Sequence, residues 1–390
     1  KEENRKNFSK YVSQNILGMI GFSCYVLADS YFISIAKGAD GLTALNLVMP
    51  LYSIIFSIGE MIGVGSAIRY AISKIKKDAD ADDYFWNALI WCILSSMLFV
   101  FAGIFFSADI MRVLGADEHI VAVGNNYTKI FMCFAPMFMC NYVTNAFVRN
   151  DGAPGIAMSA TLFSSLFNIV FDYILMFPMN LGMEGAALAT ALSPIIGMGI
   201  CSIHFFSKKS SVRLVVCKPS VRKLVAGCQL GVSAFVGEMS SAVITLAFNF
   251  VILKLTGNVG VAAYGVVANI AIVTTAVFNG VAQGSQPLIS SCFGRGDKDG
   301  CTQLKRMGHT TAFVLAAVMY SILFIFAGQF VAVFNSECSE MLRLYATEGV
   351  KLYFIGIFFA GINIVGGGAF SATEDLSLIH ISEPTRHAQI

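Results

Sequence analysis

Charge is what this sequence has least of. Only 13% of its 390 residues are Asp, Glu, Lys or Arg, about half the usual share in soluble globular proteins. That shortage excludes a soluble globular domain of this length. It also excludes a disordered chain, which combines low hydrophobicity with high charge. Neither sign dominates: 26 Lys+Arg stand against 24 Asp+Glu, a net +2. Bulk charge therefore names no polyanionic partner, and no nucleic-acid binding is expected. No GxxxxGK[ST] occurs, so ATP is not hydrolysed on this chain. No CxxC or Cys/His ligand spacing occurs either. Nothing points to covalent catalysis, a resident metal or a cofactor, and an enzyme is not expected.

Apolar residues are abundant instead. They make up 56% of the chain, and mean hydropathy is +0.71. One membrane-spanning helix needs about 20 of them, so the supply suffices for about ten spans. The ten cysteines fit this reading: Cys24, Cys92, Cys133, Cys140 and Cys201 sit inside apolar runs as small hydrophobes. The polar stretch 1–10 leads straight into a long apolar run, so no cleavable signal peptide is expected. The chain opens on Lys1 rather than Met, so its true beginning is expected to be missing. Residues 376–386, LSLIHISEPTR, resemble a translated sequencing-adapter sequence, and 376–390 are set aside as a non-native tail.

Charged and Gly/Pro punctuation divides the remainder into ten candidate spans: 12–35, 42–72, 84–107, 121–148, 154–177, 182–206, 224–254, 259–292, 309–334 and 344–372. The fold expected is an all-α polytopic membrane protein. Pro50, Pro136 and Pro194 fall inside these runs as candidate kinks. Gly59 and Gly63 give a GxxxG spacing, the mark of a packing face.

Lys and Arg in short loops orient such proteins, because cytoplasmic loops carry the excess. With the N-terminus inside, the inner segments hold nineteen. They are Lys1, Arg5, Lys6, Lys10, Arg69, Lys74, Lys76, Lys77, Arg149, Lys208, Lys209, Arg213, Lys218, Arg222, Lys223, Arg295, Lys298, Lys305 and Arg306. The outer segments hold four, Lys37, Arg112, Lys254 and Arg343. A cytoplasmic N-terminus in the cell membrane is expected.

The most basic loop, 207–223, separates two halves: 1–206 with six spans and 224–375 with four. Sliding the second half back onto the first at one constant offset aligns Gly38 with Gly257, Gly41 with Gly260, Ala44 with Ala263, Gly65 with Gly284, Ser66 with Ser285, Asp78 with Asp297 and Asp80 with Asp299, without a gap. Six spans is an even number, so both repeats enter from one side. That predicts parallel lobes related about an axis along the membrane normal, with a site between them. Two full repeats need twelve spans, so about ten of twelve are expected here.

Ionisable groups inside a membrane are functional candidates, because each costs at least about 2.5–3.5 kcal/mol to insert. Asp29 in CYVLADSYFIS and Asp172 in FNIVFDYILMF both lie within roughly 10 Å of the outer boundary at 1.5 Å per residue. Asn168 precedes Asp172 by one turn, on the same face. Two carboxylates at one depth can share a proton or hold Na⁺. Glu238, near the midplane of span 7, is a candidate for attracting a cation or carrying a second proton. Glu60, nearer the inner end of span 2, is expected to pair locally with Arg69.

These residues resemble a known family. Arg149–Leu192, RNDGAPGIAMSATLFSSLFNIVFDYILMFPMNLGMEGAALATAL, is similar to the span 4–6 region of the multidrug and toxic compound extrusion (MATE) transporters. GVAQGSQPLISSCFGRGD, Gly280–Asp297, resembles the family's exit from span 8, and ADSYFIS its span 1 acid motif. The resemblance implies two six-helix lobes in a V and export of cationic amphipathic compounds in exchange for H⁺ or Na⁺, by a monomer. It places ion-coupling and substrate groups on Asp29, Asn145, Asn168, Asp172 and Thr190, and it likens Glu238 to the family's span 7 acid. Span 1 lacks the Pro that many relatives carry before the acid. The alternative is a flippase for lipid-linked oligosaccharides, which is expected to carry basic residues deep in its cavity.

Overall fold

The computed structural model describes residues 2–334 and 340–373. The tail assigned to 376–390 lies outside the described residues. Every regular element among them is helical. Span 1 is Glu2–Gly38, span 2 Thr43–Lys76, span 3 Asp83–Val113, span 5 Pro154–Met176, span 6 Gly182–Phe205, span 7 Val221–Phe248, span 8 Ala263–Gly294, span 9 Lys298–Ile325 and span 10 Glu340–Ser371. Span 4 is a broken pair, Glu118–Cys133 and Ala135–Asn150, bent by 46°. The expected all-α polytopic architecture is present.

Local chemistry sets the breaks. Span 1 ends where Gly38 takes φ 60° and ψ −144°, a conformation that a Cβ opposes. Pro136 lies just after the bend in span 4, whereas Pro50 and Pro194 stay inside continuous helices. The side chains of Asp117, Ser220 and Asp297 cap helix starts by accepting from Ile120 N, Lys223 N and Gly300 N.

Two large apolar clusters make up most of the core, beside a small third one at Val148, Ala157, Ala160 and Cys201. One large cluster is built on spans 1 to 6, with Ile33, Val48, Tyr127, Phe131 and Phe147 fully buried. The other is built on spans 7 to 10, around Val281, Ala312 and Val350. Each of these two reaches into the other half of the chain. Phe8 and Val12 of span 1 belong to the second cluster, and Leu230 of span 7 belongs to the first. This crossing follows the repeat, since span 7 is the counterpart of span 1.

Glycine makes the crossing possible. A Cβ at Gly65 would collide with the Gly227 carbonyl, and one at Gly231 with the Met61 carbonyl. A Cβ at Gly284 would lie 2.7 Å from Val12 Cα, and one at Gly280 would lie 2.6 Å from Ile16 Cα. Gly65 and Gly284 are repeat mates, so the two contacts are pseudo-symmetric. In lipid there is no hydrophobic drive between helices, and small residues that allow close backbones supply the packing. The Gly59/Gly63 pair also packs, against Met139 and Tyr142 of span 4.

These interlobe contacts lie toward the end of the bundle that carries Lys74, Lys77, Lys223 and Lys298, called here the basic end. Residues 206–220 cross it without regular structure. They are strapped to the first lobe rather than free. Ser211 N donates to Asp151 Oδ2 at 2.8 Å, Arg213 N to Asp82 Oδ1 at 3.2 Å and Ser220 N to Asn87 Oδ1 at 2.7 Å. Asp151 is itself buried against His204 Nε2 at 2.7 Å and receives the Tyr70 hydroxyl at 3.0 Å. One loop charge is reassigned by the structure: Arg149 is only 6% exposed, inside the last turn of span 4.

Candidate functional site

Span 5 turns Asn168 and Asp172 to one face, a turn apart, and both are fully buried. Span 6 packs on that face through Gly185, where a Cβ would sit 2.8 Å from the Leu175 backbone. This closeness lets Asn168 Nδ2 donate to Thr190 Oγ1 at 3.2 Å and to Ser193 Oγ at 3.4 Å. Asp29 arrives from span 1, 7% exposed, within electrostatic and hydrogen-bonding reach of Asp172. Asp29, Asn168, Asp172 and Thr190 therefore form one site in the first lobe.

The site is rich in acceptors and poor in donors. Among the described residues, neither Asp172 oxygen meets a hydrogen-bond donor, and the same holds for Asp29 Oδ1 and Asn168 Oδ1. Asn168 spends its amide N–H groups on the two hydroxyls. A buried acceptor without a donor costs about 1–3 kcal/mol, more when charged. Two carboxyl groups hydrogen-bond each other only with a proton on one of them. The chemistry that satisfies this arrangement is a shared proton or a bound cation.

Three tyrosines lie in the field of the pair: Tyr25, Tyr52 and Tyr127. The Tyr52 and Tyr127 hydroxyls hydrogen-bond each other, and the Tyr52 ring stacks on Phe131 with centroids 3.7 Å apart. None of the three was singled out from the sequence. Tyr25 carried a readable signal, because it precedes Asp29 by one turn. Tyr52 and Tyr127 carried none, being far apart along the chain and joined only by the fold.

The other two sequence candidates lie elsewhere. Asn145, of span 4, donates to Ala157 O and to Thr161 Oγ1, each at 3.3 Å. It shares a small cavity with Asn15, Arg149 and Gln283. Glu238, half-buried on span 7, is in the field of Glu60 on span 2. Glu60 is held by the amide of Gln283, which donates at 3.4 Å. Arg69, its expected partner, instead donates to Ala226 O at 3.3 Å.

The second lobe does not repeat the acid. At the register of Asp29 it carries Phe248, stacked on Tyr264 with centroids 5.3 Å apart. Both line a largely apolar cavity of about 650 Å³ with Thr274, Phe278, Tyr353 and Ile357. The two lobes thus share a backbone plan and differ in chemistry.

A bundle of membrane-crossing helices, with a donor-poor acid site buried among spans 1, 5 and 6, defines a polytopic membrane protein. The MatE family model matches residues 15–174 and 234–381. The chain belongs to the MATE family of efflux transporters. The multidrug export protein MepA of Staphylococcus saprophyticus is 25% identical over 365 residues, covering 92% of this chain and 79% of that protein. MepA of Staphylococcus aureus strain MRSA252 is 26% identical over 370 residues, with the same coverage. Among solved structures, an outward-facing multidrug resistance MATE transporter of the MOP superfamily aligns with TM-score 0.88 at 20% identity, covering 97% of this chain and 85% of its own. A MOP superfamily transporter from Pyrococcus furiosus, described as having a binding pocket of reversed polarity, aligns with TM-score 0.83 at 20% identity, covering 97% and 87%. The likeness to solved structures establishes the fold.

Proposed function

We propose that this chain exports cationic, amphipathic compounds across the cell membrane in exchange for H⁺ or Na⁺, by alternating access of its two lobes. The observation that carries the proposal is the buried Asp29–Asp172 pair, whose unmet acceptors call for a proton or a cation. Loading of that pair by an ion and binding of a cationic cargo oppose each other through charge. Antiport needs such differential binding between states. Residues with no donor of their own are suited to an ion that comes and goes. The multidrug export relatives support the cargo class.

The basic end is assigned to the cytoplasm on the loop charges. The contacts between lobes gather there, so the state described is closed to the cytoplasm. The resemblance to a solved outward-facing transporter supports this. The flippase reading finds little in the structure. Among the described residues the one deeply buried arginine, Arg149, already has Asn15 and Gln283 as acceptors.

The test uses everted vesicles carrying this chain and an imposed proton gradient. Addition of lipophilic cations is expected to dissipate the gradient, and Asp29→Asn or Asp172→Asn is expected to abolish the response. A response that needs Na⁺ assigns the coupling ion as Na⁺. An unchanged response in Asp172→Asn would refute the site assignment, and no response with either ion would refute cation export.

A further inference from the structure

A second polar cluster lies where the lobes meet, outside the acid site. Arg149, on span 4 of the first lobe, donates from Nη1 to Asn15 Oδ1 at 3.1 Å and to Gln283 Oε1. Gln283 lies on span 8 of the second lobe. Its Nε2 donates back across the interface to Glu60 Oε1 on span 2, at 3.4 Å. One amide is thus gripped at both ends by the opposite lobe. Arg149 and Glu60 also attract each other directly, while Glu238 of the second lobe repels Glu60.

The neighbours of Gln283 fix its reach. Gly284 and Gly280 bring span 8 against the backbone of span 1 at Val12 and Ile16. Glycine contacts are short in range and carry no charge. They resist separation only through packing, which each small displacement weakens gradually. The polar cluster behaves differently. Moving span 8 away leaves the buried Arg149 guanidinium and the half-buried Glu60 carboxylate each short of a partner, in surroundings where an unpaired ion is costly. The cluster therefore makes the closed arrangement a distinct state rather than one point of a continuum.

We propose that Arg149, Gln283 and Glu60 form a latch between the lobes, and that Gln283 must leave Arg149 and Glu60 for the basic end to open in each transport cycle. The role of opening in transport rests on the function proposed above. The latch is tested without transport, by hydrogen–deuterium exchange on the purified chain in detergent. In Gln283→Leu, amides of 8–16, 61–69 and 280–287 are expected to exchange roughly tenfold faster or more, as loss of charge-assisted hydrogen bonds implies. Residues 166–176, the part of span 5 beyond the cavity that Ala157, Met158 and Thr161 line with Arg149 and Gln283, are expected to be unchanged. The double variant Glu60→Gln with Gln283→Glu exchanges the amide and the carboxylate. It keeps an acceptor for Arg149 and a donor between spans 2 and 8, so exchange is expected to return to the parent rate. Glu238→Gln removes the opposing carboxylate and is expected to slow exchange in the same segments.

Unchanged exchange in a folded Gln283→Leu would overturn the latch. So would a double variant that exchanges as fast as the single one. If Gln283→Leu does not fold, Glu60→Gln alone, which keeps shape and removes charge, must still speed exchange for the proposal to stand. Loss of the transport response with these exchange patterns intact would count against the proposed function and leave the latch in place.

Discussion

Asp172 holds two buried oxygens without donors and Asp29 holds one, so function and stability pull in opposite directions at this pair. Asp172→Asn removes the charge and supplies an N–H that Asp29 can accept. It is expected to raise thermal stability while abolishing ion-coupled export, with a gain of about 1–3 kcal/mol. A thermal melt of variant and parent in one detergent checks the sign. A lower melting temperature would show that the carboxylate already has a partner. At this scale the sequence was most informative where chemistry and burial conflict. Asp29, Asn168 and Asp172 stood out because acids and amides are rare inside apolar runs. Thr190 came through the family resemblance, and its partner Ser193 came only from the structure. Hydroxyls are common in such helices, so neither announces itself.

Among the helices, breaks and contacts were legible to different degrees. Ten spans were readable because apolar length is a one-dimensional property. Pro136 and the bend in span 4 coincide, yet Pro50 and Pro194 leave their helices continuous, since neighbouring helices can satisfy the freed backbone groups. The linker 207–223 reads as a solvated basic loop, but Asp151, Asp82 and Asn87 hold its backbone, and no local pattern reports contacts so distant along the chain. Gly65 appeared only as a repeat match. Its use is now explicit: a side chain there would strike the Gly227 carbonyl. Gly65→Leu is expected to fold within each lobe and to hold the basic end apart. Hydrogen exchange at 227–231 would then rise severalfold, whereas unchanged exchange would show that the helices can shift to admit a side chain.

For the molecule as a whole, the expected repeat and the proposed orientation are read by counting rather than from any single residue. Seven matched positions predict two parallel lobes, whereas the crossing of spans 1 and 7, by which each core borrows residues from the other half, comes only from the structure. Orientation is checked with trypsin, which needs the exposed Lys208 and Lys209. Cleavage in the linker is expected in everted vesicles and not in intact cells. Cleavage from the outside would reverse the assignment, and with it the direction in which the closed end faces.

The crossing also constrains how the protein is made. Val12 emerges from the ribosome early, while Gly284, which it packs against, is synthesised only after most of the chain has followed. At about 5–20 residues per second, the first helix waits on the order of tens of seconds for its counterpart. Throughout that interval Phe8, Val12 and Asn15 have no native neighbour from the second half. Lipid covers the apolar positions among them until then, and the contact between the halves can form only once span 8 has been made.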